Sequence, residues 1–331
     1  GMRETRDVAG QLSRLGLRAF DAGQPVHGSY HGDFIVLSAA GSRTEIDRRS
    51  GYVVSHSVRG RKLISAPLRP NFWRASTDND WRGWRVGKIA GCWKEAPERL
   101  QTVSVRIDES AGSVTVEKAI PDSVRLTLTY TLDGAGALAV DYKLDISDRM
   151  PEPLRVGLQT CVPNTLERIA YFGKGPQENY SDRCEGAFLG LYRSTPEKFM
   201  HSYITPQENG NRCDVRYLQL AGKGGGVVFA GRQPLCVSVW PCTQEALDAA
   251  LPVGIAAGQG YLTAREEAVQ LARIIALGHE GGQVQAAVFR VPDGTRRFLG
   301  RHFPRRLAFG HIRPHLALVE FLAQGQEFGN L

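Results

Sequence analysis

Short runs of alternating apolar and polar residues dominate the chain between residues 33 and 162. RLTLTYTL (125–132) and LAVDYKLD (138–145) alternate almost perfectly, which predicts strands with one buried and one wetted face. Gly-containing turns separate such runs, as in SGYVVSHSVRGRKLI (50–64), which predicts a strand, a turn and a strand. Helical periodicity is nearly absent from residues 33–240. The pattern predicts an all-β fold, a large antiparallel β-sandwich, and argues against a doubly wound α/β fold.

The rest of the pattern is less regular. Residues 67–93 form a turn-rich insertion that holds four of the five tryptophans. From Pro163 to Leu220 we expect loops with short strands, and GGGVVFAGRQPLCVSVW (224–240) predicts a strand, a turn and a strand. The Gly-rich stretch at 222–226 joins two strands and predicts a hairpin. TQEALDAAL, from residue 243, predicts a short helix with Thr243 as its N-cap.

The pattern also suggests the domain organisation. Residues 1–32 predict a leader or the trailing edge of a preceding domain, and residues 33–331 predict one β-sandwich domain. Its tail, residues 255–331, is atypical because it is rich in arginine and lacks lysine.

Composition and charge restrict the cellular location and the classes of binding partner that we expect. No apolar run of 18 residues and no secretory signal is present, so we expect no membrane association. The six cysteines form no CxxC pair, and we expect reduced thiols in a cytoplasmic protein. Lys and Arg number 41 against 34 Asp and Glu, a net charge of +7. Only Phe298, Phe303 and Phe309 lie among the clustered arginines and could stack on bases, so no nucleic-acid partner is expected.

Candidate chemistry lies in three polar clusters. The first is RPNFWRASTDNDWRGW (69–84), the second is YFGKGPQENYSDRCEGA (171–187), and the third is YITPQENGNRCDVRYL (203–218). Carboxylates, amides, arginines and aromatic rings together suit sugar recognition, because they bind hydroxyl groups and stack on C–H faces. The candidate substrate-binding residues are Asp78, Asn79, Asp80, Gly83, Glu178, Asn179, Tyr180, Glu208, Asn209 and Arg212.

A structural role is an open alternative for each cluster. Asp78, Asn79 and Asp80 are also suited to Asx-turns that satisfy their own backbone. Glu178 and Glu208 are also suited to N-caps or to buried ion pairs.

In the ion-pair alternative, the partners of Glu178 and Glu208 would be Arg183 and Arg212. The sequence leaves the structural and functional roles open.

An internal glycosidase centre is not expected. Retaining hydrolysis needs two carboxyl groups about 5–5.5 Å apart on opposite sides of the sugar. Asp78 and Asp80, two positions apart, would lie on one face of an extended segment, roughly 6.5–7 Å apart. Both would then approach the sugar from the same side, so we expect no catalytic residue in this chain.

Three long motifs carry a family resemblance. PLRPNFWRASTDND, FGKGPQENYSDR and PQENGNRCDVRYL resemble the C-terminal small-chain domain, domain 5, of glycoside hydrolase family 2 β-galactosidases. The resemblance covers roughly residues 33–250 and implies a large sandwich of the galactose-mutarotase type. In that family a (β/α)₈ barrel holds both catalytic glutamates, and the small chain is either the C-terminal domain or a separate subunit.

The resemblance implies a non-catalytic small subunit or domain of a retaining β-galactosidase, which acts on terminal β-D-galactosides such as lactose. The expected partners are a barrel-containing large chain or domain and the galactoside, and a homo-oligomer is compatible with it. The resemblance implies no cofactor in this chain. It is compatible with a divalent or sodium cation in the complete enzyme.

The resemblance also suggests roles for individual segments. Residues 78–83 are similar to a mobile loop that edges the family's active site, whereas GPQENY and PQENGNR would organise the concave face and a domain contact. One departure concerns the tail: family members carry a late tryptophan that stacks on the sugar, but no tryptophan follows Trp240.

Two alternative functions remain at this stage. One is a free-standing aldose mutarotase or epimerase, which needs a general acid and a general base. His201 with Glu208 or Glu178 would be the candidate pair. The other is a pure galactose-binding module.

Overall fold

The computed structural model describes residues 25–223 and 225–250, together with the strand segments 270–276, 283–285 and 314–317. Most of the predicted leader, residues 1–32, and most of the atypical tail, residues 255–331, lie outside these ranges. The proposed domain boundaries therefore stay predictions.

The described residues form predominantly β structure. The strands, in chain order, are β1 (His27–His31), β2 (Phe34–Ala39), β3 (Ser42–Asp47), β4 (Val53–Val58), β5 (Arg61–Lys62), β6 (Arg69–Asn71), β7 (Gln101–Asp108), β8 (Ser113–Ile120), β9 (Val124–Leu132), β10 (Leu138–Ile146), β11 (Val156–Val162), β12 (Arg168–Gly175), β13 (Phe188–Ser194), β14 (Arg212–Gly222), β15 (Gly225–Trp240), β16 (Gln270–Ala276), β17 (Gln283–Gln285) and β18 (Pro314–Ala317).

The strands build three sheets. Their strand orders are β1-β2-β3-β4-β5, β18-β17-β10-β9-β8-β7 and β13-β12-β14-β15-β16-β11-β6. Pairing is antiparallel throughout, apart from the short parallel contact between β17 and β18. The predicted all-β, antiparallel β-sandwich is confirmed.

The apolar residues that alternate with polar ones along the strands are the residues buried in the core. In β9, every second side chain from Val124 to Leu132 is buried, while the threonines between them are partly exposed. β8 follows the same two-residue period. These buried faces join residues from all three sheets in one apolar core, which includes Ile35, Leu128 and Val237. Burial of this apolar area is the main stabilising contribution to the sandwich.

The region after residue 163 is more regular than the sequence pattern suggests. The expected loops are present at residues 176–187 and 200–211, but β12, β13 and β14 are 8, 7 and 11 residues long and are not the short strands expected. The hairpin between β14 and β15 is confirmed, with Gly222 paired to Gly225. Residues 225–240, however, form one strand without the expected turn.

The irregularity in β15 is a bulge. Ala230 pairs with Tyr217 and Leu235 pairs with Val215, so four residues of β15 lie opposite one residue of β14. Pro234 has no N–H for the ladder and is accommodated where pairing is interrupted. The Gly and Pro signals therefore mark a bulge within a strand.

The helical segments of the described residues are short, and half of them lie in the insertion. They are α1 (Val86–Ile89), α2 (Ala96–Arg99), α3 (Pro196–Phe199) and α4 (Gln244–Ala249), with a π-helical turn at Asn79–Trp84 and a 3-10 turn at Gly91–Trp93. The helix predicted after Thr243 is confirmed: the Thr243 side chain accepts a hydrogen bond from the Ala246 N–H at 3.1 Å.

The seven-stranded sheet positions the polar clusters. The first cluster leaves β6 at one border of this sheet, and the second leaves β12, next to the opposite border. The third cluster precedes and enters β14, the neighbour of β12. Strand order thus separates the first cluster from the other two by most of the sheet, and loop contacts must bring them together.

Candidate functional site

The first polar cluster folds into a capped helical turn. The Thr77 N–H donates to Asp80 Oδ2 at 2.8 Å, and the Asp80 N–H donates to Thr77 Oγ1 at 3.3 Å. This reciprocal pattern is a capping box, in which two backbone donors at a helix start are satisfied by side chains. Arg74 Nη2 donates to Asp80 Oδ1 at 2.9 Å, which fixes the carboxylate further.

This turn corrects the extended geometry expected for the two aspartates. Asp78 is exposed, whereas Asp80 is only 4% exposed and bound to Arg74 and Thr77. The two carboxylates therefore do not share one face, because the segment is helical. The alternative of a backbone-satisfying aspartate applies to Asp80.

The exposed surface of the turn consists of Asp78, Asn79, Trp81, Arg82 and Gly83. Trp81 is 67% exposed, an unusual exposure for the largest apolar side chain. A side chain placed at Gly83 would meet no other atom within 4 Å. This part of the first cluster is accessible to a ligand or a partner chain.

Asn179 connects the second cluster to the third. Its backbone N–H donates to the Asn211 carbonyl at 2.8 Å, and Asn211 Nδ2 donates to the Asn179 carbonyl at 2.7 Å. Its side-chain oxygen accepts from the Cys213 N–H at 2.9 Å. Asn179 is 1% exposed, so its hydrogen bonds fix loop geometry.

The two clusters share the tetrapeptide PQEN and one local hydrogen bond. Asn179 Nδ2 donates to the Gln177 carbonyl at 3.0 Å, and Asn209 Nδ2 donates to the Gln207 carbonyl at 2.8 Å. Asn209 is also 1% exposed, and its backbone carbonyl accepts a hydrogen bond from the Trp240 indole N–H at 3.0 Å. The repeated tetrapeptide is a sequence signal that would have identified both turns.

The two glutamates of these tetrapeptides have different environments. Glu178 accepts hydrogen bonds from Arg183 Nη2 at 2.7 Å, from the Gly210 N–H at 2.8 Å and from the Tyr203 hydroxyl. Burial alone would raise the pKa of Glu178, but these hydrogen bonds outweigh it and hold the pKa below its usual value. Glu178 is therefore a fixed, ionised acceptor.

Glu208 is buried and pairs with an arginine that the sequence reasoning missed. Arg155 Nη2 lies 3.0 Å from Glu208 Oε1, and the side chains are 5% and 1% exposed. The Glu178–Arg183 pair was anticipated, whereas the Glu208–Arg212 pair was wrong. Arg155 lies just before β11, 53 residues from Glu208, so no local pattern links them.

The third cluster also contacts the first. The Glu208 N–H donates to the Ala75 carbonyl at 3.2 Å. Tyr180, in the second cluster, has a buried hydroxyl near Glu208, and burial raises its pKa well above the usual value. The structure thus brings all three clusters together, as the sequence suggested.

Arg212 joins the second and third clusters from within. Its Nε donates to the Pro176 carbonyl at 3.0 Å and to the Tyr171 hydroxyl at 3.3 Å. Its Nη1 donates to the carbonyls of Gly210 and Asn211 at 3.1 and 3.3 Å. The guanidinium also lies 4.3 Å above the centre of the Phe199 ring.

A hollow opens beside these clusters, which we name the Arg212 hollow. It has a volume of about 520 Å³, and its lining includes Glu178, Arg183, Lys198, Met200, His201 and Arg212. His201 is exposed, and its ring packs edge-on against Tyr203 at 4.4 Å between centroids. Lys198 and Phe199 of α3, which the sequence did not single out, complete this surface.

The exposed side chains of the clusters can bind polar groups, whereas the buried carboxylates are paired within the protein. Asp80 and Glu178 are each held by an arginine and a backbone N–H, and Glu208 is held by its ion pair with Arg155. Across residues 25–223 and 225–250, no three His, Cys, Asp or Glu side chains converge in a way that could hold a metal ion. In the same part of the chain, no helix has the length and apolarity needed to cross a membrane.

Comparison with known proteins identifies sequences that are related to this chain. Residues 38–270 match the family model described as β-galactosidase small chain. The β-galactosidase of Lactobacillus delbrueckii subsp. bulgaricus is 35% identical over 205 residues, covering 60% of this chain and 20% of that protein. That of Halalkalibacterium halodurans is 32% identical over 234 residues, covering 68% and 22%.

The chain spans about a fifth of the length of these curated relatives. Among solved structures, galactose 1-epimerase from Lactobacillus acidophilus aligns over 93% of this chain and 100% of its own, with 9% identity and a TM-score of 0.43. The family match covers well over half of the residues, and the chain belongs to the β-galactosidase small-chain family.

Proposed function

We propose that this chain is the non-catalytic part of a retaining β-galactosidase and completes the active site of a separate barrel-containing catalytic chain or domain. The supporting observation is that Asp80 and Glu178 are bound to arginines by internal hydrogen bonds and that Glu208 forms a buried ion pair with Arg155. A glycosidase needs an acid and a nucleophile that face each other across the sugar. Such groups would come from the catalytic partner, which the relatives' greater length accommodates.

The exposed turn of the first cluster is the proposed contact with the active site. Asp78, Asn79 and Gly83 present polar atoms and open space, and Trp81 offers a large ring for stacking on a sugar or packing on the partner. The buried residues of the second and third clusters hold this turn in place through the contact between Glu208 and Ala75.

Hydrolysis of a chromogenic β-galactoside tests the proposal. The isolated chain should show no turnover, and activity should appear when the barrel-containing β-galactosidase chain of the same organism is added. Turnover by the isolated chain that is lost in Asp78→Asn would overturn the non-catalytic assignment.

A matched pair of variants tests the role of the turn. In the reconstituted enzyme, Trp81→Ala should lower kcat/KM by about tenfold, since loss of one ring contact of about 1.4 kcal/mol corresponds to that factor. Tyr30→Ala removes another exposed aromatic ring, 56% exposed on β1, and should leave kcat/KM unchanged. Equal effects of the two changes would refute a specific role for the turn.

Independent mutarotase activity is not favoured. Ring opening needs a base that accepts a proton, and the hydrogen bonds to Glu178 lower its pKa and weaken it as a base. Glu208 is buried in its ion pair with Arg155 and is not accessible to a sugar. Polarimetry of fresh α-galactose should therefore show the same rate of mutarotation with the wild-type chain and with His201→Ala.

A further inference from the structure

Arg212 is a buried cation whose protein contacts are neutral. The residue is 4% exposed, and its hydrogen bonds go to backbone carbonyls and the Tyr171 hydroxyl. Among the described residues, no carboxylate lies within 4 Å of its guanidinium. Arg155 is equally buried but has Glu208 at 3.0 Å. Burial of an unpaired charge costs free energy, so a negative group bound beside Arg212 would be stabilised.

One nitrogen of the Arg212 guanidinium is available to donate a hydrogen bond to a negative group. Nε and Nη1 are engaged with protein oxygens, whereas Nη2 makes no hydrogen bond to any described residue and is not sealed from solvent. Arg212 lines the hollow, so this donor is directed to the space that a ligand would occupy. The other contacts hold the guanidinium rigidly, which lowers the entropy lost on binding.

The remaining charges of the Arg212 hollow favour an anion. Arg183 is neutralised by Glu178 at 2.7 Å. Lys198 is exposed on the rim and forms no ion pair with the described residues. Two cations that line the hollow, Arg212 and Lys198, thus have no carboxylate partner among the described residues.

We propose that the Arg212 hollow binds a small organic anion, a carboxylate or phosphate ester of about monosaccharide size. The charged group bonds to Arg212 Nη2 and Lys198 Nζ, and hydroxyl groups of the ligand meet Gln177 and His201, which also line the hollow. A volume of about 520 Å³ is within the range of small-molecule sites. This site is separate from the proposed function, because a neutral galactoside brings no charge to balance Arg212.

Isothermal titration calorimetry on the full chain tests the proposal. Galactose 6-phosphate and galacturonate are the two anionic probes, and galactose is the neutral probe of the same size. At least one anion should bind, with an affinity that falls as sodium chloride is raised, and galactose should give no heat. The preferred probe tells whether phosphate or carboxylate is the better ligand. Absence of heat from both anions at millimolar concentration overturns the proposal.

Two variants and a control locate the binding. Lys198→Gln should weaken the anion by about fivefold, because it removes one charge from the rim. Arg212→Lys should abolish binding, since a lysine cannot reproduce the planar guanidinium. Lys62→Gln makes the same charge change on exposed β5 and should have no effect.

Circular dichroism checks that each variant is folded. If Arg212→Lys fails to fold, the comparison of Lys198→Gln with Lys62→Gln decides the matter. Equal affinities of these two variants would place the anion elsewhere and refute the assignment.

Discussion

Glu208 has the most deeply buried carboxylate of the three polar clusters, and its pair with Arg155 makes a sharp prediction about stability. The two groups lie 3.0 Å apart with side chains 1% and 5% exposed. At an effective dielectric constant of about 20, this separation corresponds to an attraction of about 5.5 kcal/mol. Arg155 Nε and Nη1 find no other hydrogen-bond partner among the described residues.

Removal of one partner should therefore be severe. Glu208→Leu leaves the Arg155 charge buried and unpaired, and Arg155→Met leaves the Glu208 carboxylate in that position. Each change should lower the free energy of unfolding by about 3–5 kcal/mol. The double variant removes both charges and should cost clearly less than the sum of the two single changes.

Urea unfolding at pH 7, followed by tryptophan fluorescence, measures these differences as a double-mutant cycle. The exposed Arg106–Glu117 pair, at 2.7 Å with side chains 64% and 41% exposed, is the matched control. Arg106→Met and Glu117→Leu should each cost less than about 1 kcal/mol. A Glu208→Leu cost in that same range, or simple additivity of the two buried changes, would show that the pair is not a buried ionic contact.

Three further predictions concern other buried polar groups. Burial lowers the pKa of His56 from 6.5 to about 4, so the unfolded chain binds the proton first as pH falls, and stability is lost between about pH 6.5 and 4. From pH 7 to 5 the wild type should lose about 2 kcal/mol more than His56→Gln in urea unfolding, and parallel curves would contradict this. Asp80→Asn removes the charge that binds Arg74 and weakens the capping box, and it should speed hydrogen exchange of the Thr77 amide; an unchanged rate would refute the contact. Asn179→Ala should destabilise the chain by about 2–4 kcal/mol through loss of several buried hydrogen bonds, whereas Asn79→Ala on the exposed turn should stay within about 0.5 kcal/mol; equal unfolding midpoints would be the opposing result.

Much of the candidate site could be anticipated from local signals. The three clusters were recognisable as loops of mixed polar and aromatic residues, and they do meet in space. The Glu178–Arg183 pair spans five positions, which a single loop can bring together. Two local signals went unused: Thr77 and Asp80 at capping-box spacing, and the repeated PQEN turn.

Sequence alone determined the all-β class, the alternating strands β8–β10 and the Thr243 cap, because side-chain period and capping act within a few residues. Tertiary structure decided that residues 225–240 run as one bulged strand, since pairing to neighbours on both sides outweighs the Gly and Pro signals. It also decided that Glu208 meets Arg155 and that Arg212 has neutral protein contacts. Ion pairs form between groups that packing places within a few ångströms, and here that placement depends on strand order across the whole seven-stranded sheet.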